Sequence, residues 1–150
     1  MNGSWLSILF GGETWSWWYG ALFTMFLAMM GTAYYACQEP TGVGGGAPIL
    51  MFLLYAYAFL ILAVMSTVDV VLWARASGHG ILITGLFLLL AWSVTGLSWT
   101  FLFMATDPNY PEQLFAGRVL FTLHSILLYA GNLWMLWVLR TDEASPGATH

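Results

Sequence analysis

The chain is 150 residues long, 60% hydrophobic and 17% aromatic, with only 7% charged residues and a formal net charge of −4. A water-soluble domain of this size needs about a quarter of its surface as Lys, Arg, Asp and Glu; with Arg75, Arg118 and Arg140 as the whole cationic complement, the chain also lacks a basic face for nucleic acid. Cys37 is the single cysteine, which excludes an intramolecular disulfide and a thiolate metal cluster within one chain.

The first residues carry neither the basic start nor the small-residue cleavage site of a secretory signal, so the first membrane helix is expected to be retained. Trp5, Leu6, Ile8, Leu9 and Phe10, followed by Gly11 and Gly12, make a segment too short to cross a bilayer, and it is expected to lie in the interface. Four apolar stretches follow at 16–36, 49–73, 80–104 and 117–139. Each reaches the roughly 20 residues that cross about 30 Å of hydrocarbon at about 1.5 Å per residue.

The connections read as turn chemistry. The glycine-rich run between Gln38 and Pro48 breaks the helix, 74–79 suits a tight hairpin, and 105–116 holds Pro108 and Pro111, with Pro111, Glu112 and Gln113 starting a short interfacial turn. Trp15, Trp17, Trp18 and Tyr19 at one end of the first span, with Tyr34 and Tyr35 at the other, suit aromatic belts. The polar tail 141–150 is expected to be disordered, leaving 1–140 as a single domain. The fold class is therefore an all-α integral membrane protein, a four-transmembrane-helix bundle with a short interfacial N-terminal segment.

With four crossings, Arg75 and Arg140 share one side with the N-terminus, while Arg118 lies on the other beside Glu39, Asp107 and Glu112. The positive-inside rule then puts both termini in the cytoplasm, in a plasma or inner membrane.

The fourth span carries the strongest pattern. Arg118, Thr122, Ser125, Tyr129 and Asn132 fall within about 80° of one another at about 100° per residue, so one face of that helix is polar. Such a face must turn toward other helices or water, either as inter-helix hydrogen bonding or as the wall of a cavity; packing is the simpler reading. Asp69 is the one carboxylate well inside a span, sharing a face with Ser66, Leu62 and Tyr55. Intramembrane acids are retained for ion pairs, interhelical hydrogen bonds of a protonated acid or proton handling, and the first two are the simpler.

His79 and His124 differ in depth by roughly 20 Å, too far to share one ion or haem iron within a chain. His124, about 100° from the polar stripe, is the weak candidate for a single axial haem ligand, and a histidine satisfied by a carbonyl or hydroxyl is the alternative. No other cofactor and no metal is expected. Gly20, Thr24, Ala28, Thr32 and Ala36 recur every fourth residue as a small-residue ridge, and the third span has its own in Thr84, Ala91, Thr95 and Ser98. No nucleophile elbow, phosphate loop or H-E-x-x-H pair is present, so catalysis has no support.

Three functions fit. The first is a non-catalytic subunit that packs with other transmembrane proteins, or copies of itself, into a larger assembly in the lipid bilayer. The second is a homo-oligomeric, holin-like pore former, and the third a transport or electron-transfer subunit with a polar intramembrane site. No family resemblance selects among them.

Overall fold

The computed structural model describes residues 12–38 and 47–143, with side chains described for 15–38 and 48–141. The interfacial segment expected before Gly12, the glycine-rich connection and the end of the tail lie outside these residues. The four helices are α1 (Gly12–Cys37), α2 (Ala47–Ala76), α3 (Ile81–Thr106) and α4 (Pro111–Glu143). At about 1.5 Å per residue the shortest is about 39 Å and α4 about 50 Å, so every one is long enough to cross, and each is apolar enough. The chain is an all-α, four-helix membrane bundle.

Burial follows a repeat of seven. Along α2 the buried residues Met51, Tyr55, Ala58, Leu62, Met65 and Asp69 fall in alternating steps of four and three, with Ser66 and Ala74 also buried, and those of α1 include Leu22, Met25, Met29, Thr32 and Ala36. α3 contributes Thr95, Ser98, Leu102 and Ala105 at the same spacing. A seam of this period keeps facing its neighbour when helices cross at a shallow angle. Apolar side chains cover the outside: Ile81 is 94% exposed, and Leu82, Phe115, Leu127 and Trp134 are also exposed. Only lipid is a good solvent for such a surface.

Connections set how the helices meet. α2 extends past the expected 73 to Ala76 and ends in a Schellman turn: Gly78 has φ +68°, its N–H donates to the Arg75 carbonyl, and the His79 N–H donates to that of Ala74. His79 therefore sits in the turn, its ring tilted against that of Trp73, with Gly80 capping α3. At the other end Asp107 closes α3 by accepting bonds from the Asn109 N–H and side-chain amide. Pro111, whose ring suits the first helical position, opens α4 directly. The expected interfacial turn is thus the first turn of α4, and the helix also continues through Thr141 to Glu143.

α3 and α4 touch most closely beside that loop. A Cβ on Gly117 would collide with backbone atoms of Met104 and Ala105. Further along, α3 pulls away from the core: no residue from 81 to 94 is buried. This half is held laterally to α2 by Trp92 Nε1 donating to Thr67 Oγ1 at 3.0 Å and by the Trp73–Phe87 ring contact.

Candidate functional site

About a third of the way in from the α3–α4 loop end, α2, α3 and α4 converge on Tyr55. Its ring meets Trp99 edge-on at 4.3 Å and Phe121 at 5.7 Å, and its hydroxyl donates to Ser98 Oγ at 2.8 Å. The Ser98 hydroxyl in turn donates a hydrogen bond to the Thr95 carbonyl. The Tyr55 and Ser98 hydroxyls are both bonded, which is what a low-dielectric interior demands.

The polar stripe of α4 turns inward, with Ser125 and Asn132 buried. Its hydrogen bonds, however, stay on its own helix. Thr122 donates to the Arg118 carbonyl, Ser125 to that of Phe121, and Asn132 Nδ2 to that of Leu128 at 2.8 Å. Tyr129 packs its ring on Phe26 of α1 at 4.4 Å. Short polar side chains reach the carbonyl one turn back more readily than a neighbouring helix, so the stripe joins helices through packing and leaves some polar atoms unused.

Among the described residues, three such buried atoms have no hydrogen-bond partner: Arg118 Nε, Asp69 Oδ1 and Asn132 Oδ1. Arg118 lies near the α3–α4 loop. The other two lie toward the opposite end, and the register places them at similar depth. α2 and α4 run in the same direction, and Tyr55 and Phe121 are in ring contact. Ser66 and Asn132 lie eleven residues beyond that pair, about 17 Å, and Asp69 fourteen, about 21 Å. Asp69 and Asn132 thus differ in depth by about one turn, and both are turned into the bundle, at 4% and 8% exposure. Ser66, on the same face of α2, is also buried. Each orphaned acceptor costs on the order of 1–3 kcal/mol.

His124 faces α3. Its Nε2 lies 2.9 Å from the Val94 carbonyl, an atom that only accepts, so Nε2 donates; Phe101 meets the ring edge-on. Among the described residues no three His, Cys, Asp or Glu side chains are grouped as metal ligands.

The ridge of α1 divides in two. Ala28, Thr32 and Ala36 are buried, with the Thr32 hydroxyl bonded to the Ala28 carbonyl and 3.4 Å from that of Met51 on α2. Gly20 and Thr24 are exposed and line a lateral groove of about 630 Å³ with Ser16, Trp17, Ala21 and Tyr57. The Thr24 and Tyr57 hydroxyls, 3.3 Å apart, form its floor. Trp15 turns into the core while Trp17 is exposed, so adjacent tryptophans of one expected belt do different work.

Sequence reasoning did not single out the Tyr55–Ser98 bond or Gly117. The first had a signal, since both lie on polar-bearing faces of adjacent antiparallel spans. The second had none: Gly131, on the same helix, has open space where its Cβ would be. Comparison of the chain with protein-family models, with characterised proteins and with solved structures gives no match.

Proposed function

We propose that the chain is a non-catalytic polytopic subunit that docks other transmembrane helices in a larger membrane assembly, with the α1 groove as its docking face. The observation that carries this reading is the exposed half of the small-residue ridge. Ala28, Thr32 and Ala36 serve contacts within the chain, whereas Gly20 and Thr24 border a groove wide enough for large side chains of a second helix. Small residues let backbones approach closely, and close packing drives helix association in lipid, where apolar burial supplies no driving force. The Thr24 and Tyr57 hydroxyls add polar contacts for a partner.

The inward turn of the α4 stripe favours this reading over a holin-like pore, because a lumen lined by Ser125 and Asn132 requires the bundle to open. Arg75 and Arg140, each in the last turn of its helix at the same end, support termini on the cytoplasmic side of a plasma or inner membrane.

Gly20→Leu tests the proposal cleanly. A Cβ at this position meets nothing within 4 Å beyond its own stretch of helix, so the variant is expected to fold normally yet lose its partners in native mass spectrometry of gently extracted membranes. Partners retained by Gly20→Leu, or a ring of this chain alone, would overturn the reading.

A further inference from the structure

The buried oxygens toward the α2–α3 turn are not explained by docking at the groove. Asp69 Oδ1 and Asn132 Oδ1 are both acceptors, both sealed from solvent and both without a donor. Hydrogen bonding also aims one of them. Because the Asn132 amide nitrogen is committed to the Leu128 carbonyl of its own helix, the amide oxygen, at the opposite end of the same planar group, points away from that bond. Ser66, level with Asn132 in the register and one turn before Asp69, adds a hydroxyl on the same buried face of α2. The bonded hydroxyls of Tyr55 and Ser98 have no counterpart of this arrangement.

We propose that Ser66, Asp69 and Asn132 form an intramembrane binding site for a small monovalent cation of the sodium class. The donor set is a carboxylate, an amide carbonyl and a hydroxyl, all hard oxygen ligands that suit a hard cation rather than a thiophilic or imidazole-seeking metal. Valence follows from charge. One positive charge neutralises Asp69, whereas a divalent ion would leave a net charge in a medium where uncompensated charge is strongly unfavourable. A bound cation satisfies both orphaned acceptors at once and brings together α2 and α4, which otherwise meet through Tyr55 and Phe121. This inference does not rest on the docking role: Asp69 and Asn132 lie inside the bundle, and none of the three residues lines the groove.

The test uses the full chain purified in detergent, with sodium chloride as the probe against choline chloride and potassium chloride at equal ionic strength, read by radioactive sodium binding and by thermal unfolding. Sodium is expected to bind saturably and raise the unfolding temperature. Asp69→Asn should weaken sodium binding by about ten-fold or more, since the ion loses its only countercharge, and Asn132→Leu should weaken it less. Tyr129→Phe, on the same stripe but packed on Phe26, should leave it unchanged. If Asp69→Asn does not fold, Ser66→Ala, which keeps the carboxylate, should still lower sodium affinity measurably. No saturable sodium binding to the wild-type chain overturns the proposal, as does equal binding by the Asp69 and Ser66 variants. Stability that responds to pH but not to sodium also overturns it, because Asp69 is then satisfied by a proton alone.

Discussion

Around the Tyr55 hydroxyl the bundle buries polar groups together with their partners, whereas about three turns further along, at Asp69 and Asn132, it buries acceptors without donors. The first region has three helices in ring contact and a bond running from Tyr55 through Ser98 to the Thr95 carbonyl. The second has a carboxylate on the seam of α2 and a half of α3 with no buried residue. Packing and hydrogen bonding act together around Tyr55. The far end carries two of the three unsatisfied buried polar atoms among the described residues, an arrangement that lowers stability and fits a site that receives something.

Four substitutions break or sharpen this contrast. The largest effect is expected from Gly117→Leu, which forces α3 and α4 apart beside their loop and should cost about 3 kcal/mol, measured by reversible unfolding in mixed micelles. A loss no larger than that of Gly131→Leu would mean that the close approach to Met104 and Ala105 is not where the pair is anchored. Next, Asp69→Leu in sodium-free medium should stabilise the chain by about 1–2 kcal/mol, because it removes an orphaned buried acceptor. Destabilisation under those conditions would show that the carboxylate is already satisfied. Tyr55→Phe should cost about 1 kcal/mol, the scale of an inter-helix hydrogen bond in lipid; an effect indistinguishable from zero would remove the hydroxyl from the account of the Tyr55 region and leave only its ring. The smallest change, under about 0.5 kcal/mol, is expected for Gly20→Leu, whose effect should appear in partner binding and not in unfolding.

Much of the architecture is legible in the amino-acid sequence. The four apolar stretches match the four helices with shifts of a few residues at most ends, because the length of hydrocarbon to be crossed is a property of the bilayer and not of the fold. The exceptions are informative. α4 begins at Pro111, six residues before the expected 117, because apolar content marks where lipid begins, while a helix begins where its backbone can be capped. Asp69 and Asn132 stand out in the sequence as unusual residues, but their lack of partners does not: whether a buried oxygen finds a donor depends on side chains tens of residues away.

Composition, span length and the period of small and polar residues determined by themselves that this is a four-helix membrane bundle, and which face of α4 is polar. Only the tertiary structure decided that this face turns inward yet bonds to its own helix, that one half of the α1 ridge is covered and the other left as a groove, and that Gly117 and not Gly131 is the point of closest approach. The physical reason is the same in each case. Periodicity specifies the side of a helix on which a residue lies, whereas the rotation and splay of that helix against its neighbours come from packing all four together.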